Sequence, residues 1–535
     1  MLSPFEYAVL LLHNMDHGGP LRFDGYEYLL QPLEDGEPRI VVQKAAQVGA
    51  TVMAVIRALW FVDVAQKHAM YLFPTHVAAL RFSRGRLRVL IDTNEYFQKR
   101  FQQVKRDNHL RAGSVNLYCH GGRSRAEVMS VPVQYLTIDE RDEMYQGRLA
   151  GPQPWSAVDL ARQRLSGQTH SWELNISTPT VPDHGVAAEF AVSDQQHYHP
   201  RCPHCDRYVR LSWPEAVCLI PEASRETASE TASPGSGSWR AMFCCPACRK
   251  PWSRLERRWA IRRGIWIADF PGRSPRGYHL TQLLSPTQTA ARLVRQWCEA
   301  QGNPSRLQVF HNSVLGLPYV AEGARLDVRF IEEAILRGGG LMAAEGHGTV
   351  MGVDVGSQCF HVVIAQMQES LLRIVWAGVV RDWDELAQLV VRFRVSCYVV
   401  DAMPETHGAR GFLHRFPQGY MCWYTQAGRQ VQVDHNGRTI QAPRTDSLDA
   451  MFLRWRLGKV LAPRDLPSEF SSHLTALVRV IRFNRFGEAV AEYIASGADH
   501  YAHALNYCEL AVHLQPPRLH FDFIPAQPDK PSWQT

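Results

Sequence analysis

The sequence predicts an α/β protein with two successive parallel-sheet domains, the first carrying a metal-binding insertion. Three observations predict it. Short apolar, β-branched runs alternate with helical stretches over the first 180 residues, as strands joined by crossover helices do. Residues 338–348, GGGLMAAEGHG, interrupt this pattern, and strand-type runs restart beyond them. Two Cys-x-x-Cys turns lie in between.

Length and composition are consistent with that class. A chain of 535 residues exceeds what one core organises, so two to four domains are expected. Hydrophobic content of 45% with 21% charged residues is ordinary for a globular protein. No stretch approaches eighteen apolar residues and the N-terminus lacks a basic leader, so neither a membrane span nor secretion is expected. For the twelve cysteines, metal binding or burial is then a better expectation than disulfides. The net charge of +6 does not by itself argue for nucleic acid. Its distribution says more: eleven Lys/Arg against three acids between Arg81 and Arg125, and a second cluster from Arg249 to Arg263. Each patch fits phosphate neutralisation or a solvated helix face.

In chain order, 39–43 and 69–73 are strand-type runs, and a basic helical region covers about 77–106. YLTIDE at 135–140 is an apolar strand ending in acids, and WELNISTPT a strand ending in a small-polar loop. Residues 222–238, EASRETASETASPGSGS, are low in complexity and read as a loop. In the second half, runs at 350–356, 361–366 and 371–379 precede a helix near 383–395 and a strand at 396–401. The expected boundaries are 1–195, an insertion at 196–265, a linking subdomain at 266–340, a second domain at 341–515 and a proline-rich tail at 516–535.

The stretch VVQKAAQVGAT (41–51) has the grammar of a phosphate-binding loop with its lysine at the wrong end. The usual loop has lysine directly before the Ser/Thr; here Ala50 fills that place and the lysine is Lys44. Gly49 supplies a tight turn, Thr51 a hydroxyl for magnesium, and TVMAVIRALWFV a helix whose N-terminus attracts phosphate. A lysine entering from the loop's start still reaches phosphates that the loop wraps. A plain strand–turn–helix connection is the alternative. Asp139 and Glu140, adjacent at a strand's C-terminal end, suit a magnesium ligand and a water-orienting carboxylate, or else an acidic capping turn. Ser177, Thr178 and Thr180 then sit where a third loop senses the phosphate state.

RCPHC (Cys202, Cys205) and CCPAC (Cys245, Cys248) are two knuckles with proline after the first ligand cysteine of each. Four thiolates from two such turns suit tetrahedral zinc. Cys244 competes with Cys245 for one position, and the Cys-x-x-Cys spacing favours Cys245. In the second half Asp354 lies in MGVDVG, Asp401 ends CYVVD, and Asp499 begins the helix expected over ADHYAHALNYCELA. Acids from two strands and a late helix can converge on two metal ions that cut a phosphodiester; each can equally cap a turn.

These segments, with SDQQHYHPRCPHC, GYHLTQLLSP and FHNSVLGLPY in the same order, resemble the large terminase subunit of tailed phages, of the lambda-like GpA type. The resemblance implies a P-loop-type ATPase with a zinc-knuckle insertion, followed by an RNase H-like nuclease domain. That family's phosphate loop is itself deviant, with a basic residue at its start, so Lys44 is what it leads one to expect. Carried over residue by residue, Lys44, Gly49 and Thr51 match the ATP loop, and Asp139 and Glu140 the magnesium and catalytic carboxylates. Ser177, Thr178 and Thr180 match the coupling loop, and Asp354, Asp401 and Asp499 the nuclease acids that hold Mg²⁺ or Mn²⁺. His503 stands where the family often has a second helix aspartate, and Gln47 where some members have arginine. The implied function is ATP-driven translocation of double-stranded DNA into a procapsid, followed by metal-dependent cutting. The implied partners are DNA, a small terminase subunit and the portal protein, met as a homo-oligomeric ring in the host cytoplasm. Arg123 and Arg125 are candidates for an arginine given to a neighbour's ATP site. A helicase–nuclease, or an inactive prophage-remnant zinc protein that binds DNA, are the competing functions.

Overall fold

A computed structural model describes residues 1–12, 19–103, 108–129, 131–144, 156–221, 239–425, 430–483 and 489–515. The low-complexity loop expected at 222–238 and the tail expected at 516–535 fall outside them. The chain divides into two compact units: residues 1–327 with 475–499, and residues 328–474 with those from His500 on.

The first unit is built on a ten-stranded sheet. Its strands are β1 (Arg39–Lys44), β2 (Ala69–Phe73), β3 (Phe101–Gln103), β4 (His109–Ala112), β5 (Val115–Gly121), β6 (Tyr135–Asp139), β7 (Trp172–Ser177) and β8 (Gln196–His199). After a separate hairpin, β9 (Val217–Pro221) with β10 (Trp239–Phe243), the sheet resumes with β11 (Ile265–Ala268) and β12 (Arg276–Leu280). The order is β11-β8-β12-β1-β7-β6-β2-β5-β4-β3. The seven strands from β8 to β5 run parallel, with antiparallel strands at both edges. β2 and β6 are buried along their whole length, as parallel strands covered on both faces must be. Alternate residues serve opposite faces. Tyr71 packs in the core that holds Met53, Ile56 and Leu59 of the helix Ala50–Asp63. Met70 and Leu72 pack instead with Ile138, Val128 and Leu160.

Two expected boundaries are redrawn. The first sheet does not stop at 195, because β12 pairs directly with β1 and β8 pairs with β12. Residues 200–264 are an insertion between β8 and β11, and the segment expected to link domains from 266 supplies sheet strands. QHYH and RGYHL carry too little apolar alternation to announce strands, so their strand character came from partners rather than local pattern. The hairpin β21 (Leu477–Phe483) and β22 (Ala489–Ala495) also belongs to the first unit. Its Val478, Val480 and Ile494 pack with Val181 and Ala324.

The second unit holds β13 (Thr349–Val355), β14 (Phe360–Gln368), β15 (Leu371–Val380), β16 (Val395–Asp401), β17 (Gly419–Thr425), β18 (Gln432–Asp434), β19 (Thr439–Pro443) and β20 (Val460–Leu461). Its sheet order is β18-β19-β17-β16-β13-β14-β15-β20. β13, β14 and β15 form an antiparallel meander, and β16 then β17 add parallel to β13 on its other side. This is the RNase H-like arrangement. The helix His500–Leu514 lies directly on β13 at Gly352, where a Cβ would come within 2.0 Å of Ala504 O. Only glycine permits that approach.

Candidate active sites

In the first unit, β1, β6 and β7 are adjacent and parallel, so their C-terminal ends open side by side, where ligands of open parallel sheets bind. β1 ends at Lys44, the loop turns through Gln47 (φ 58°) and Gly49 (φ 85°), and the helix starts at Ala50. Gly49 is required twice: for its positive φ, and because a Cβ there would lie 2.8 Å from the Leu29 side chain. The loop is anchored from behind. Ala45 N donates to Leu280 O at 2.7 Å, Ala46 N to Ser313 O at 2.8 Å, and Tyr28 Oη to Val48 O at 3.0 Å. Thr51, the helix's second residue, is half-buried, in the first turn where N–H groups lack helical acceptors.

Lys44 resolves the misplaced-lysine problem geometrically. Its Nζ is 2.9 Å from Glu140 Oε1 and 3.3 Å from Thr178 Oγ1. The residue is 6% exposed, so its ammonium is held over the mouth shared by all three strand ends. Glu140 has φ 54° and keeps 40% side-chain exposure. Asp139 is buried, with Oδ2 accepting from Tyr71 Oη at 2.8 Å. Its Oδ1 is buried without a hydrogen-bond partner among the described residues. Burial, then the charge of Glu140, raises its carboxyl to about 6, against the pull of Lys44. A hard cation at Oδ1 satisfies both the orphaned oxygen and the buried charge, so the residues fit a divalent ion.

One residue here was not legible beforehand. Asp142 Oδ2 accepts from Thr180 N at 2.8 Å and Thr180 Oγ1 at 2.7 Å, and Oδ1 from Val186 N at 2.7 Å. Its own N–H donates to Ser177 Oγ at 3.1 Å. The turn after β6 is thereby bonded to the loop after β7. The signal available was only a further acid in DERDEM. Arg482 of β21 pairs with Glu143 and donates to Asp142 O at 3.3 Å, bracing the same turn. Arg123 and Arg125 are exposed.

In the insertion, Cys202 Sγ is 3.8 Å from Cys248 Sγ, and Cys205 Sγ is 3.8 Å from Cys245 Sγ. All four sulfurs lie within 4.8 Å of one another. Four Zn–S bonds of about 2.3 Å in a tetrahedron separate sulfurs by about 3.8 Å, so the thiols fit zinc. Backbone N–H groups of His204 and Cys248 point at Cys202 Sγ and Cys245 Sγ, each at 3.4 Å. Cys244 lies outside the group and donates to Glu215 O at 3.4 Å. Arg257, buried in the following helix, ties the insertion to Leu283 O and Ser285 O at 2.8 Å.

In the second unit, Asp354 and Asp401 follow Val353 and Val400, the last paired residues of parallel neighbours β13 and β16. The two acids therefore stand on adjacent strands, 2% and 8% exposed. Asp354 Oδ2 is 2.9 Å from His500 Nδ1, and Asp401 Oδ1 accepts from Met403 N at 3.1 Å. Asp499, the last residue of the 475–499 segment that belongs to the first unit, precedes the helix and is half-buried. Among the described residues, the grouping placed to share a cation here is Asp354, His361 and His500; neither Asp401 nor Asp499 is in it. His361 and His500 were not anticipated from sequence. His503 Nδ1 meets Tyr424 Oη at 3.1 Å and its Nε2 lies 3.4 Å from Arg444 Nη2.

Both basic patches reach solvent. Arg81, Arg84, Arg86 and Arg88 are exposed, as are Arg254, Arg258 and Arg262 at successive helix turns. No described helix is long and apolar enough to cross a membrane.

Comparison with known proteins also finds two domains, with the boundary earlier in the chain than the one between the two units. The family model for the ATPase domain of the phage terminase large subunit gpA matches residues 34–266, and that for the terminase large subunit gpA endonuclease domain matches residues 275–372. The terminase large subunit of Enterobacteria phage P21 is 23% identical over 330 residues, covering 55% of this chain and 48% of that protein. The chain thus matches about half the length of this curated relative. The crystal structure of the HK97 bacteriophage large terminase superposes with a TM-score of 0.50 at 11% identity, over 96% of this chain and 99% of that one. That likeness supports the fold.

Proposed function

The chain belongs to the gpA family of phage terminase large subunits, and on that premise we propose that it is a DNA-packaging motor subunit. It hydrolyses ATP to drive double-stranded DNA into a procapsid, and cuts that DNA with a metal-dependent endonuclease. The observation that carries the reading is the convergence of Lys44, Glu140 and Thr178 at one mouth, with a second acidic pair, Asp354 and Asp401, in another unit.

In this reading ATP binds at the loop 45–51, its phosphates facing the helix N-terminus and Lys44. Lys44 then exchanges Glu140 for phosphate oxygens, which frees Glu140 to orient the attacking water. Thr51 and Asp139 would hold Mg²⁺, which would supply positive charge beside the transferring phosphoryl group. Ser177, Thr178 and Thr180 register the loss of the γ-phosphate, and the Asp142 bonds pass that change between the two loops. Zn²⁺ on Cys202, Cys205, Cys245 and Cys248 is structural. Asp354, Asp401 and Asp499 are the nuclease acids, with Mg²⁺ or Mn²⁺ supplying the Lewis acidity. The exposed arginines are the DNA-facing charge. The partners are double-stranded DNA, a small terminase subunit, the portal of the procapsid and further copies of this chain in a ring, met in the host cytoplasm.

The test is packaging into purified procapsids with the small subunit present: ATP-dependent protection of linear duplex DNA from added nuclease is expected. Strand separation without protection would assign the helicase–nuclease function instead. Absence of ATP hydrolysis in the folded, zinc-replete protein would assign an inactive remnant.

A further inference from the structure

His361 projects from β14 opposite Asp354, its direct partner across the antiparallel pair. It is 9% exposed, and its Nδ1 is buried with no hydrogen-bond partner among the described residues. A buried imidazole nitrogen left unpaired is destabilising unless something binds it. His500 stacks on His361 with ring centroids 4.5 Å apart and 12° between planes. Each of Asp354, His361 and His500 offers one ligand atom, all within 4.8 Å of one another. The 2.9 Å between His500 Nδ1 and Asp354 Oδ2 fits a hydrogen bond. It equally fits two ligands at right angles on one ion, which bonds of about 2.1 Å would place about 3.0 Å apart.

Resting on the nuclease reading above, we propose that Asp354, His361 and His500 form a mixed nitrogen–oxygen cation site, and that its two imidazoles make the nuclease select transition-metal ions over Mg²⁺. The physical reason is ligand type. Magnesium is a hard ion that prefers carboxylate and water, whereas imidazole favours first-row transition ions. Asp401, on the neighbouring strand, stays outside this set. Two imidazoles on one ion splay from the observed stack, and His500, whose side chain is 37% exposed, has room to turn. His473 Nδ1 accepts from Tyr501 N at 3.5 Å beside them and is not counted as a ligand.

The experiment uses the full chain loaded with one equivalent of Mn²⁺, a probe that a four-thiol knuckle does not favour. Pulsed EPR of the wild type should show ¹⁴N coupling from imidazole. His361→Gln and His500→Gln should each weaken Mn²⁺ binding by about tenfold or more, since loss of even an outer-shell partner costs that much. His361→Asp should narrow the preference for Mn²⁺ over Mg²⁺. Asp354-dependent Mn²⁺ binding without nitrogen coupling would overturn the histidine assignment and leave the nuclease reading standing. Manganese-supported DNA cleavage that is indifferent to Asp354→Ala would instead overturn the nuclease reading, and the proposal with it.

Discussion

Asp142 holds Thr180 by two hydrogen bonds to a single carboxylate oxygen, 2.8 Å from the backbone N and 2.7 Å from Oγ1. The bonds are part-buried, and they join the turn that carries Glu140 to the loop that carries Thr178. Asp142→Asn turns an NH₂ group towards a donor on one side, leaving the backbone N–H of either Thr180 or Val186 unpaired at about 1–3 kcal/mol. We predict near-normal ATP affinity with hydrolysis lowered by tenfold or more. Fluorescent-nucleotide binding beside steady-state turnover checks it, and unchanged turnover would make Asp142 merely structural.

Lys44→Ala removes the only cation seen bonded to both Glu140 and Thr178 among the described residues. Hydrolysis should be abolished while fold and zinc content are retained. Glu140→Gln should still bind ATP and Mg²⁺, because Asp139 is intact. Its turnover should drop by about 10²-fold or more, the usual worth of a positioned base. Rapid-quench hydrolysis and nucleotide binding separate the two variants; wild-type turnover in either removes that residue from the mechanism.

The knuckles predict one zinc per chain. Cys202→Ser should lower zinc content and the melting temperature, whereas Cys244→Ser should do little, since that thiol lies outside the four-sulfur group and donates to Glu215 O. Metal analysis of the purified variants decides it. Full zinc in the first, or loss in the second, would exchange their roles.

At the nuclease acids, Asp354→Ala and Asp401→Ala should each stop DNA cleavage with ATP hydrolysis preserved. His503→Ala should be mild, because both ring nitrogens face protein groups, Tyr424 Oη and Arg444 Nη2. Asp499→Ala tests the acid before the helix. Cleavage unaffected there but lost in His500→Ala would move the third position by one residue.

What was legible in the sequence was what strand ends display locally. Lys44, Asp139 and Ser177 each close an apolar run, and a parallel sheet lines such ends up, so their meeting followed from pattern alone. The strand-type runs at 350–356, 361–366 and 371–379, with Asp354 in the first, and the strand that Asp401 ends were read the same way. Contacts made across the fold were not legible. Asp142 acquires its role from Thr180 and Val186, 38 and 44 residues away. His361 looks like one more residue in an apolar strand until β13 sets Asp354 beside it. β8 and β12 carry too little alternation to announce strands, and the 477–495 hairpin joins the first unit through packing that its own residues do not encode.

The central claim is that one chain carries two separate chemistries, ATP hydrolysis at Lys44 and Glu140 and phosphodiester cleavage at Asp354 and Asp401. The most direct test measures DNA-stimulated ATP hydrolysis and duplex cleavage side by side in full-length wild type, Glu140→Gln and Asp354→Ala. ATP turnover alone should be lost in the first variant and cleavage alone in the second. Loss of both activities together in folded Asp354→Ala, or of neither in either variant, would contradict that claim.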